Sequence, residues 1–205
     1  MQLSEIATIQ AGYPFRGKIP EVAKGEVVVI QMRDIVDGQI IQWPACARTT
    51  LRSKRDTDWL KPGDLLVAAR GSHYYAVQVD SHEENQAVAA PHFFVVRVQK
   101  ESILPAYLGW LINQRPCQRY LEQNAEGTLT KSIRRNVLGS LPIAVPTLER
   151  QRNLVGLVDA LQQERVLLHR QLENNLALQS ALAADLLSTS PGRIDRNGII
   201  KGTKK

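Results

Sequence analysis

Pro142 and Pro146 precede a stretch from Thr147 to Ser188 with no proline and a single glycine, Gly156. Nothing inside that run forms a turn cluster, and Thr147 suits the N-cap of a helix that continues through Glu149 and Arg150. A helix to Ser188 would be on the order of 60 Å long at its usual rise. Stepping by alternating threes and fours picks out Leu161, Arg165, Leu168, Leu172, Asn175, Gln179, Leu182 and Leu186. Five of these eight are leucine, and the polar members lower stability while fixing register and partner. A second apolar set, Leu154, Val155, Leu157 and Val158, is placed to pack on the preceding domain. Because the chain holds no other helix of matching length, the stripe is expected to be covered by a second copy or another protein. The alternative is a helix folded back along its own domain.

Residues 1–145 have a different character, mixed α and β. The stretch LSEIATIQAG reads as a short helix, with Leu3, Ile6 and Ile9 on one side and Gly12 ending it. VVVIQMRDI is rich in branched residues and suits a buried strand; Asp37-Gly38 signals a turn, and QIIQW follows as its partner. KPGDLLVAARG, YYAVQV and HFFVVRV are further strands, and ILPAYLGWLINQRPCQRYLEQ is helical with an interruption at Pro116. The expected fold is therefore α+β. It comprises a mixed domain over 1–145, a long helix over 146–188 and a flexible basic tail over 189–205.

The 205 residues carry a formal charge of +6, which suits a polyanionic partner without requiring one. Cys46 and Cys117 are far apart and outside any metal-ligand spacing, so they read as reduced, buried thiols. The first residues lack the features of a signal peptide, and no apolar run is long enough to cross a bilayer. A reducing cytoplasm is the expected compartment. Catalytic signatures are missing: there is no nucleophile elbow, phosphate-binding loop, dinucleotide fingerprint or HExxH zinc motif. His73, His82 and His92 are not at ligand spacing, and Asp64, at a turn into a strand, reads as a structural residue. The expectation is a binder with no catalytic, metal or cofactor site.

Three segments carry candidate contacts to nucleic acid. ARGSHYY places Arg70, Ser72, His73, Tyr74 and Tyr75 directly after a strand, where a guanidinium and rings could meet base edges. TLTKSIRRN mixes Thr130, Lys131, Ser132, Arg134 and Arg135, the combination of charge and hydroxyls that phosphate contact uses. ARTTLRSKRDTD holds Arg48, Arg52, Lys54 and Arg55, the densest basic stretch. For ARGSHYY the alternative is an exposed loop with two half-buried tyrosines, and for the two charged segments a solvated charge cluster.

The order of these features resembles one half of the specificity (S) subunit of Type I restriction-modification enzymes. The resemblance rests on LSEIATIQAGYPFRG, GDLLVAARG, GTLTKSI and above all LPIAVPTLERQRNLVGLVDAL, whose ERQR is similar to the family's EEQR at the start of its long helix. It covers about residues 1–188. A full S subunit has two such units in tandem, so this chain is similar to a half-subunit. The resemblance implies a non-catalytic DNA target-recognition domain followed by a coiled-coil-like spacer helix. It also implies double-stranded DNA, modification (methyltransferase) subunits and a restriction and translocation subunit as partners, with S-adenosylmethionine and ATP bound by those partners. Joined with the leucine stripe, it suggests a homodimer reading an inverted repeat through Leu154, Leu157, Val158, Leu161, Leu168, Leu172, Asn175, Leu182 and Leu186. The rival expectation is a helical adaptor, or an inactive inhibitor-like relative, that binds a modification subunit or another partner without reading sequence.

Overall fold

The computed structural model describes residues 1–51, 57–80 and 86–189, the side chain of residue 189 excepted. Among them the fold is α+β. Strands β1 (Ala7–Ala11), β2 (Val27–Ile30), β3 (Ile35–Val36), β4 (Ile40–Ile41), β5 (Ala47–Thr49), β6 (Leu65–Ala68), β7 (Ala76–Gln78), β8 (Gln86–Ala89) and β9 (Phe93–Val98) precede the helices. The helices are α1 (Pro105–Ile112), α2 (Arg115–Gln123), α3 (Arg135–Gly139) and the 42-residue α4 (Leu148–Thr189). The chain divides into two compact units, Met1–Gly156 and Leu157–Lys205.

In the first unit, an antiparallel sheet of order β1-β9-β6-β7 lies against a second sheet, β5-β2-β8, in which β2 and β8 run parallel. Alternation along β6 explains why its four residues are all buried. Leu65 and Val67 enter a core with Tyr107, Leu108 and Ile112 of α1 and Leu121 of α2. Leu66 and Ala68 point the other way, onto Val28 and Ile30 of β2. A strand covered on both faces has no polar side to show, so it reads as an unbroken apolar run. Strand β2 repeats the device, with Val27 and Val29 meeting Leu51, Tyr13, Phe15 and Trp59 on its far face.

The opening decapeptide departs from the expected helix. Leu3–Glu5 makes one 3-10 turn, and Ala7–Ala11 then pairs with β9 from Ala7↔Val98 to Ala11↔Phe94. Leu3 and Ile6 do share a side, but Ala7 and Ile9 are buried while Thr8 and Gln10 are exposed. The period is two from residue 7 on, and β-branched Thr8 and Ile9 suit it. QIIQW also departs from expectation: Ile40–Ile41 pairs with Ile35–Val36, whereas β2 pairs with β5 and β8. The turn between β3 and β4 does fall at Asp37-Gly38, both with positive φ (52° and 67°). Pro105 and Pro116 each stand in the first turn of a helix, so the expected interruption at Pro116 is the start of α2.

Two buried polar groups lock this unit. Asp64 accepts two bonds of 2.7 Å from the Arg97 guanidinium and one from the Lys61 amide, which confirms its structural reading. Gln151, fully buried, accepts from the Leu104 amide (2.8 Å) and donates to the carbonyls of Ser102 (2.9 Å) and Pro146 (2.8 Å). It thereby caps α1 from another element, because Leu104 at that N-cap has no side-chain acceptor of its own. Thr147 caps α4 through its hydroxyl, 3.4 Å from the Arg150 amide. Leu154 and Val155, the next turn of α4, pack on the same core.

In the second unit, Leu157, Leu161, Leu168, Leu172, Leu182 and Leu186 are all exposed. So are Leu167 and Leu178, which at about 100° per residue lie roughly a third of a turn from that stripe. No helix among the described residues is long and apolar enough to cross a membrane.

Candidate nucleic-acid interface

Two of the three candidate segments are joined by their main chains. After β6, the Ile133 amide donates to Ala69 O (2.9 Å) and the Gly71 amide to Lys131 O (3.1 Å), a short bridge that sets Arg70 opposite Ser132. Ser132 also exchanges two bonds with Glu126, at 2.8 and 2.9 Å, closing the loop 127–131. Residues 60 positions apart in sequence thus form one surface, with Arg70, Ser72, His73, Thr128, Thr130, Lys131 and Arg134 exposed on it. Arg134 is paired with Glu126 at 2.6 Å, while Ser132 is half-buried.

The loop after Gly71 stands between two hollows. One, of about 560 Å³, lies toward the β3–β4 turn and is lined by Met32, Gln39, Ser72, His73 and Tyr75 among others. The other, of about 530 Å³, is lined by Ser72, Glu122, Thr128, Leu129, Thr130 and Lys131. The loop is held from behind by two amide side chains. Gln118 accepts from the Tyr74 amide and donates to Tyr74 O and Ile112 O; Asn113 exchanges bonds of 2.7 and 2.8 Å with Ala76. At Tyr74 and Ala76 they supply partners that a further strand beside β7 would have given.

Electrostatics single out Arg70. Its Nη1 lies 3.4 and 3.5 Å from the two ring nitrogens of His92, whose carbonyl in turn accepts from the Ala69 amide. Burial, and secondarily the Arg70 charge, hold the His92 imidazole below its ordinary value of 6.5. At near-equal distances from both ring nitrogens, the guanidinium nitrogen is a close neighbour of the ring and not aligned with either lone pair.

Several sequence assignments change. Tyr74 is buried in the core and is no surface contact; Phe93-packed Tyr75 is half-buried, with its hydroxyl pushed up to about 12 by burial. Arg48 is exposed on β5, in the sheet that does not contain β6, the strand before Arg70, and Arg135 lines a separate hollow with Ser4, Thr8, Gln10 and Asn136. Leu154, assigned to a partner helix, is instead half-buried on the core of its own unit. Arg52, Lys54, Arg55, His82 and the tail from residue 190 lie outside the described residues. No cluster of histidine, cysteine or acidic groups suited to a metal occurs among the described residues.

Comparison with solved structures bears on this geometry. A chain from work on complex assembly and conformational transition of the type I R-M system superposes with a TM-score of 0.65 at 18% identity, over 91% of this chain and 44% of that one. The HsdS subunit from Thermoanaerobacter tengcongensis gives 0.56 at 19%, over 82% and 38%. The S subunit of a Type I restriction-modification system from M. genitalium gives 0.55 at 15%, over 93% and 46%. This chain has the S-subunit fold. It spans less than half the length of each of those chains. No protein-family model matches the sequence, and no curated protein matches it.

No local signal in the sequence marks His92 beside Arg70 or the brace formed by Asn113 and Gln118, because each acts across more than twenty residues of chain.

Proposed function

We propose that this chain is a non-catalytic DNA-recognition unit of a Type I restriction-modification system, selecting the target site for methyltransferase subunits. The observation that carries the reading is the main-chain bridge between residues 69–71 and 131–133. It assembles Arg70, Lys131 and Arg134 with Ser72, Thr128 and Thr130 into one surface, on a fold shared with S subunits. Cations there supply affinity for phosphates and hydroxyls fix register, while the flanking hollows give room for base edges. S-adenosylmethionine and ATP belong on the partner subunits, which carry out methylation, translocation and cleavage.

The test is binding to a randomised duplex library across a range of salt. One interrupted motif should be enriched, and Arg70→Glu or Lys131→Glu should weaken binding and flatten the salt slope by about one unit per phosphate contact removed. Binding that stays blind to sequence, with or without a methyltransferase subunit, would leave the adaptor reading in its place.

We also propose that two copies pair through α4 and read an inverted repeat. Support comes from the stripe Leu161, Leu168, Leu172, Leu182 and Leu186, exposed along 26 residues of helix. Leu168→Glu with Leu172→Glu should shift the solution mass to monomer while the first unit stays folded; an unchanged mass would move the contact elsewhere.

A further inference from the structure

Leu129 stands at the apex of the loop 127–131, and its side chain is fully exposed. The neck of that loop is closed by the reciprocal Glu126–Ser132 bonds. Gly127 has φ of +112°, and a Cβ there would fall 2.7 Å from Thr130 O, so only glycine fits the loop at this position. Around the leucine are the exposed side chains of Thr128, Thr130 and Lys131, with Ser72 and the acidic Glu122 on the same hollow.

A lone exposed leucine is ordinary on a protein surface. Its position here is what matters: the tip of a braced loop, ringed by groups that suit phosphate and sugar. It has nothing to offer a phosphate. In the major groove the one apolar mark that distinguishes a base pair is the thymine 5-methyl group, which aliphatic side chains recognise by contact. We propose that Leu129 reads a thymine 5-methyl group and so sets one base of the recognised sequence. This inference rests on the DNA-recognition function proposed above. A protein partner would be met by a broader apolar patch than one leucine among hydroxyls and a lysine. Insertion between base pairs is the other use of an exposed leucine; it would unstack and kink the duplex from the minor groove, which a 2-aminopurine reporter detects.

The experiment uses the full chain and the duplex enriched from the library. Each thymine is replaced in turn by deoxyuridine, which removes only the methyl group. The unsubstituted protein should lose about fourfold in affinity at one position, the value of one buried methyl-sized group. Leu129→Ala should bind the thymine and uracil duplexes equally at that position. Three results would overturn the inference: uracil tolerated everywhere, uracil discrimination retained by Leu129→Ala, or unstacking of a 2-aminopurine reporter that depends on Leu129. A fourth is Leu129→Ala keeping its DNA discrimination while losing a methyltransferase subunit, which would assign the leucine to protein contact. If no duplex is enriched at all, the DNA-recognition reading itself fails and this one falls with it.

Discussion

Replacing Gln151 with alanine tests how the head holds the start of its long helix. The substitution removes an acceptor from the amide of half-buried Leu104 and a donor from the carbonyls of Ser102 and Pro146. An unpaired buried N–H costs about 1–3 kcal/mol, and the orphaned carbonyls and vacated volume add to it. A loss of about 3 kcal/mol is expected. With a urea slope of roughly 2 kcal/mol/M, the unfolding midpoint falls by about 1.5 M. Trp43, Trp59 and Trp110, the three tryptophans of the sequence, all lie in the first unit, so their fluorescence reports it directly. Arg152→Ala, one residue on and exposed, is the control and should change stability by less than about 0.5 kcal/mol. Amide exchange at Leu104 should also quicken in the Gln151 variant. A loss below about 1 kcal/mol, or unchanged protection at Leu104, would refute the view that this side chain is the clamp.

Two further outcomes follow from titrating groups. His92 should titrate below 6.5 by NMR, and Arg70→Ala should raise its midpoint part of the way, since burial is the larger cause and the Arg70 charge the smaller. As its folded value is depressed, His92 contributes stability that is present above 6.5 and lost as pH falls through the lowered value; a midpoint indifferent to Arg70 would break the pairing. Burial pushes the Cys46 thiol up to about 12 and raises that of Cys117, so at pH 8 only on the order of one Cys46 in ten thousand is thiolate. Both should resist alkylation in the folded protein and react on unfolding, and rapid labelling at pH 8 would contradict that burial.

Legibility in the sequence followed the range of the interactions. The long helix, its threonine cap, the Asp37-Gly38 turn and the strands β6, β7 and β9 are encoded by neighbours within a few residues, and each appears where the pattern placed it. The first decapeptide fits a three-residue and a two-residue period at once, and only pairing with β9, nearly ninety residues away, selects the strand. Among site residues, Arg70, Ser72, His73, Thr130 and Lys131 were recognisable by type. Nothing local told that the two loops adjoin, or that Tyr74 turns inward while Ser72 and His73 stay out.

What the sequence determined by itself is therefore the inventory of elements and the leucine spacing of α4, because helix caps, turns and periodicity are short-range physics. The tertiary structure decided which segments share a surface. Main-chain bonds between residues 69–71 and 131–133 form only when β6 is fixed between two layers, a condition set by residues throughout the first unit. The same holds for Gln151: its polarity is plain in the sequence, but its burial, and with it its role as a cap for α1, exists only once α1 and α4 have met.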